Sequence, residues 1–121
     1  MTMRDALPVP DDFRFHCEVP IRFRDLDAMG HVNNAVYLTF FEVGRENYVK
    51  ALGLEMPPDA PMHERFPFII VDAHIRFVSP ARFGEAIRVH LRTTDVGTKS
   101  FVFQYLLTST QYTITIVINK Y

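Results

Sequence analysis

RFRDLDAMGHVNNAVYLTFFEVGRENYVKAL, residues 22–52, opens in strand-like alternation and passes through a turn rich in Asp, Gly, His and Asn. It then runs on with helical periodicity. Two carboxylates, Asp25 and Asp27, stand just before the point where the helix begins. A helix N-terminus presents unpaired backbone N–H groups and a partial positive charge. Acid or base chemistry beside a ready anion site is therefore one reading of the pair. Turn hydrogen bonds and helix capping by the same two side chains are the other.

Within the helix, Tyr37, Phe40, Phe41, Gly44, Tyr48, Ala51 and Leu52 recur at three- and four-residue spacing as a wide apolar stripe. Asn33 or Asn34 suits the N-cap, and Gly53 the residue that ends the helix. Val36 and Val43 lie off the stripe, which predicts burial on more than one side. Gly44 in mid-helix predicts a close approach by another backbone.

Working outward, Phe13, Phe15, Cys17, Val19, Ile21 and Phe23 alternate with polar residues, as in a strand with one buried face. Pro20 lacks a ladder donor and places that strand at an edge or a bulge. Residues 1–12 are polar, broken by Pro8 and Pro10, and read as a flexible leader before a single domain spanning 13–121. After the helix, EMPPDAPMHERFP (55–67) reads as a loop or flap. Four strands follow. Their apolar faces are Ile69 to Phe77, Ile87 to Leu91, Phe101 to Leu107 and Tyr112 to Ile118, and short turns connect them. One long helix and five strands predict an α+β layer arrangement with the sheet curled over the helix.

The chain of 121 residues carries a formal charge of −1, which offers no electrostatic case for nucleic acid or an anionic membrane. No apolar run reaches the roughly 20 residues that span a bilayer. The single cysteine, Cys17, cannot form an internal disulfide and sits on the apolar phase of its strand as a small core residue. A cytoplasmic protein is expected.

The run Arg22 to Asn34 followed by Tyr37 resembles the signature of hotdog-fold acyl-CoA thioesterases, most closely the 4-hydroxybenzoyl-CoA thioesterase group. Asp72-Ala73-His74-Ile75-Arg76-Phe77, Ser79 to Glu85 and Gly97 to Ser100 resemble the family as well, so the likeness covers about residues 13–107. It implies a hotdog fold, a five-stranded antiparallel sheet wrapped around one long central helix. It also implies a homodimer or homotetramer with active sites at the subunit interface. The implied reaction is hydrolysis of an acyl-CoA thioester without metal or cofactor, coenzyme A being part of the substrate. By the resemblance, Asp27 is nucleophile or general base and the backbone N–H at Asn34 polarises the carbonyl. Gly30, His31, Val32, Tyr37, Lys99 and Ser100 contact the substrate. The closing QYTITIVINKY departs from the family's usual final strand of small residues.

Three other readings stand beside this one. Glu42 is a rival carboxylate, because a second class of hotdog thioesterases carries its acid on the helix. Asp27 with His31 loosely imitates the Asp/His pair of hotdog hydratases and dehydratases. A non-catalytic acyl-CoA-binding hotdog domain is the third. Asp72, His74 and Arg76 share a strand face, and two ligating side chains there do not make a metal site.

Overall fold

The computed structural model describes residues 8–54, 58–59, 70–109 and 113–121, with the side chains of 113–120 left aside. Residues 1–7 of the leader and nearly all of the stretch expected as a flap lie outside the described residues. Strand β1 spans Phe15–Val19, helix α1 Val36–Ala51, β2 Asp72–Phe77, β3 Ile87–Thr94, β4 Val102–Thr108 and β5 Thr113–Lys120, with short 3-10 turns at Pro10–Asp12 and Phe23–Asp25. All pairings are antiparallel, and the sheet runs β1-β3-β4-β5-β2.

One expectation changes here. β2 and β3 are not hairpin neighbours: the chain between them crosses from one edge of the sheet to the other. The closing segment, unlike the family's final strand in sequence, pairs along its length with β4 on one side and β2 on the other. Tyr121 then anchors the end. It exchanges backbone hydrogen bonds with Phe101, and its hydroxyl meets Tyr105 at 2.8 Å and accepts from Arg45 at 2.9 Å.

The helix lies on the face formed by Phe15 and Val19 of β1, Ile87, Val89 and Leu91 of β3, and Phe103, Tyr105 and Leu107 of β4. Tyr37, Phe40, Phe41, Gly44 and Tyr48 are buried, as the stripe predicts. Ala51 and Leu52 are exposed, and Leu38, Thr39, Glu42, Glu46, Asn47 and Lys50 form an exposed face, so the expectation of burial on several sides fails in the protomer. The close neighbour of Gly44 is the Val89 side chain rather than a backbone. Gly53 ends the helix at φ +74°, with Gly53 N–H donating to Lys50 and Leu54 N–H to Val49, which satisfies the last carbonyls.

Alternation overreaches at both ends of β1. The edge strand stops at Val19, before Pro20, and a 3-10 turn swings Phe23 out to 81% exposure. Phe13 packs on the far side of the sheet against Leu106 and tilts over the His90 ring at 5.8 Å. His90, only 5% exposed, is paired with Thr108 Oγ1 through Nε2 at 3.0 Å, while its Nδ1 is buried without a partner. Burial, helped by His16 and Arg88, lowers its pKa from 6.5 to about 4. The neutral ring is the form the fold prefers. Its contribution is complete above pH 6.5 and is lost as pH falls towards 4. Denaturation midpoints are expected to decline across that window, and less steeply in His90→Gln. An identical decline in the variant would assign the effect to other groups.

Candidate active site

The turn between β1 and the helix is built from its own short side chains. Asp25 is buried, accepts the Arg22 backbone N–H at 2.8 Å and pairs with the Arg22 guanidinium at 2.9 Å. Hydrogen bonding from that guanidinium holds the Asp25 carboxyl below the usual carboxylate range. Asp25 is therefore structural, and its carbonyl also receives Asn33 N–H.

Asp27 N–H donates to the His31 carbonyl at 2.7 Å, and Gly30 N–H to the Asp27 carbonyl at 3.1 Å, closing a tight loop. Gly30 takes φ +78°, the left-handed region that favours glycine, so its place is in the turn. Asp27 Oδ1 accepts from Met29 N–H at 2.9 Å and His31 N–H at 3.1 Å. The turn-forming reading of Asp27 is thus correct as far as one oxygen goes. Among the described residues no hydrogen bond engages Oδ2.

The helix begins at Val36, two residues later than Asn34. Asn33 acts as the effective cap: its Oδ1 accepts Ala35 N–H at 3.0 Å and its carbonyl accepts Val36 N–H at 2.9 Å. Among the described residues the Asn34 N–H meets no acceptor.

The strand-to-strand crossing docks against this turn. Val32 N–H donates to Ala81, His31 bridges Arg82, and Ala81 N–H donates to the Tyr37 hydroxyl at 3.1 Å. Burial pushes the Tyr37 phenol up, so it remains a protonated anchor. Its ring meets Phe77 edge to face at 5.4 Å. The result is a cleft of about 230 Å³ lined by Asp27, His31, Val32, Asn34, Tyr37, Phe77, Val78, Ser79 and Pro80. A carboxylate with a free oxygen and an unsatisfied N–H thus share one small, partly aromatic cleft.

Five of the expected site residues therefore come together: Asp27, His31, Val32, Asn34 and Tyr37. Lys99 and Ser100 do not join them. They sit in the β3–β4 hairpin at the opposite end of the sheet, where Ser100 accepts Gly97 N–H. Glu42 is exposed on the helix and does not line the cleft. Phe77 to Pro80 were missed as lining residues, because sequence reads them only as a strand end and a turn. Among the described residues no three His, Cys, Asp or Glu side chains group as metal ligands, and Asp72 and His74 merely face each other at 3.5 Å.

Known proteins resemble this chain in sequence and fold. A structure titled as a thioesterase complexed with coenzyme A and Zn, from Thermus thermophilus, superposes with a TM-score of 0.75 at 30% identity, covering 89% of this chain and 82% of that one. The acyl-acyl carrier protein thioesterase ATL3 of Arabidopsis thaliana is 30% identical over 95 residues, 77% of this chain and 48% of that protein. The acyl-CoA thioester hydrolase YbgC of Escherichia coli O157:H7 is 25% identical over 100 residues, 83% of this chain and 73% of that protein. The chain spans 48% to 62% of the length of the curated relatives that share at least 30% identity. A profile of the Thioesterase-like superfamily matches residues 21–120. By that match and the superposed helix and antiparallel sheet, the chain belongs to the Thioesterase-like superfamily.

Proposed function

We propose that this protein hydrolyses acyl-CoA thioesters, with Asp27 as nucleophile or general base and the Asn34 N–H as oxyanion donor. The observation that carries the reading is the shared cleft of a half-free carboxylate and a free backbone N–H. As base, Asp27 takes a proton from water as the water oxygen attacks the thioester carbon. The developing oxyanion accepts from Asn34 N–H, which is preorganised by the Asn33 turn. Collapse expels the coenzyme A thiolate, which takes the proton back from Asp27, and leaves the free acid. As nucleophile, Asp27 would attack the thioester carbon and expel the coenzyme A thiolate, leaving an acyl anhydride that water opens to the free acid and the restored carboxylate.

The full hotdog arrangement, with the sheet curling around the helix, belongs to the same proposal, as does a homodimer. β2 is an edge strand whose six residues are all exposed, including Ile75 and Phe77. Such an edge invites pairing with a second copy. Twofold antiparallel pairing through β2 sets the Asp72 end of one strand beside the Phe77 end of the other. The hairpin bearing Lys99 lies at the Asp72 end of the sheet, through the register Asp72–Lys120–Val102. A second copy is then what brings Lys99 and Ser100 towards the cleft and its coenzyme A. The free Cys17 fits a reducing compartment such as the cytoplasm.

Thiol release from a panel of acyl-CoAs tests the reading, together with the mass of the protein in solution. Release by a dimer or tetramer is expected. Enoyl product without thiol would favour the hydratase or dehydratase reading, running in the dehydrating direction, and tight acyl-CoA binding without turnover a binding domain.

A further inference from the structure

The most exposed aromatic side chains of the described residues sit together, one on the turn that leads to Asp27 and one on the crossing that docks against it. Phe23 is 81% and Phe83 58% exposed, and their rings meet edge to face at 6.4 Å. Each is held outward by a fixed local device. Phe23 rides on the 3-10 turn that Asp25 locks through Arg22. Phe83 follows Arg82, whose N–H donates to Glu85 Oε1 at 2.9 Å while Glu85 N–H returns to the Arg82 carbonyl. Arg24 and Arg82 adjoin the two rings in sequence, and among the described residues neither guanidinium has an ion-pair or hydrogen-bond partner. Two exposed phenylalanines cost solubility and contribute nothing to the core, so the fold alone does not account for them.

The geometry points to an adenine-nucleotide subsite: the Phe23–Phe83 ridge stacks the purine of coenzyme A, and Arg24 and Arg82 meet its phosphates. The inference rests on the thioester reading of the adjoining cleft and extends it to the far end of the substrate. Aromatic faces bind bases by stacking without regard to edge pattern, and free guanidiniums match phosphate oxygens. Position agrees as well. Phe23 lies four residues before Asp27, at most about 14 Å of extended chain, and Arg82 bridges His31, which lines the cleft. A pantetheine arm running from the cleft would reach the ridge. Two carboxylates next to these groups are already engaged, Asp25 with Arg22 and Glu85 with the Arg82 backbone N–H.

The test compares one acyl group on coenzyme A and on N-acetylcysteamine, which lacks the nucleotide. In Phe23→Ser and Phe83→Ser the ratio of kcat/KM for the two substrates is expected to fall about 10-fold, through KM for the coenzyme A ester. Phe23→Tyr keeps a ring and restores the ratio. Inhibition by adenosine 3′,5′-bisphosphate weakens in step with it. An unchanged ratio overturns the inference, as does an equal loss on both substrates. So does a loss of the same size when the acyl group is borne by a carrier protein, which has no adenine. Should the wild type release thiol from no ester, the thioesterase reading fails separately. Equilibrium dialysis with adenosine 3′,5′-bisphosphate then decides: binding that Phe23→Ser abolishes sustains the subsite, and no binding to the wild type removes it.

Discussion

Asp27→Asn is expected to lower kcat on a preferred acyl-CoA by about 10²- to 10⁴-fold, the range a positioned acid or base contributes. The fold should be kept. Asn retains an Oδ1 that can accept from Met29 and His31 N–H, the two bonds that Asp27 makes in the turn. It loses only the charge and basicity of the second oxygen. Asp27→Ala removes both functions and should show the same loss of kcat together with a lower melting temperature. The pair separates the chemical role from the turn role, which one substitution cannot do. Stopped thiol-release assays beside thermal melts supply the readings. Activity retained in Asp27→Asn would return the residue to a purely structural part and shift attention to Glu42, despite its exposed place on the helix.

The part played by Asp27 could not be read from spacing alone. Asx-turn bonding and catalysis call for the same residue type in the same loop. The turn and helix were otherwise legible, because their signals are local: Gly30 at positive φ, the Asn33 cap and the Gly53 terminator each act within four residues. Strand phase was legible where a strand is central. Ile87, Val89 and Leu91 alternate inward because neighbours on both sides fix the ladder.

The sequence misled where the next element, rather than the pattern, decides direction. Phe23 continues the inward phase of β1 in sequence, yet the Asp25-locked turn points it outward. β2 alternates like a half-buried strand but sits at an edge with all six residues exposed. Its place depends on the crossing from β2 to β3 and on β5 filling the gap, long-range pairings that no local signal carries. The cleft shares this origin: Ser79 and Pro80 reach Asp27 only because that crossing docks on the turn through Val32 and Ala81.

Gly44→Ala is expected to destabilise the fold by about 2 kcal/mol, within the range of core overpacking. Helix propensity alone predicts the opposite sign, a gain of about 1 kcal/mol for replacing a mid-helix glycine. Packing wins because an added Cβ would stand 2.5 Å from Val89 Cγ1 and 3.2 Å from its Cβ. Val89 is fully buried and β-branched, so it has no alternative rotamer into open space. The helix must lift from β3 or the strand must bend. For a chain of 121 residues, about 2 kcal/mol corresponds to a fall of about 8 °C in Tm. Val89→Ala alone should cost about 2 kcal/mol through lost burial. In the double variant the new methyl occupies space vacated by the valine, so the combined cost should fall short of the sum by about 0.5–3 kcal/mol. Strict additivity, or a Gly44→Ala protein at least as stable as wild type, would mean that α1 does not pack on β3 this closely. The interior that carries the Asp27 cleft at one end of that helix would then need to be redrawn.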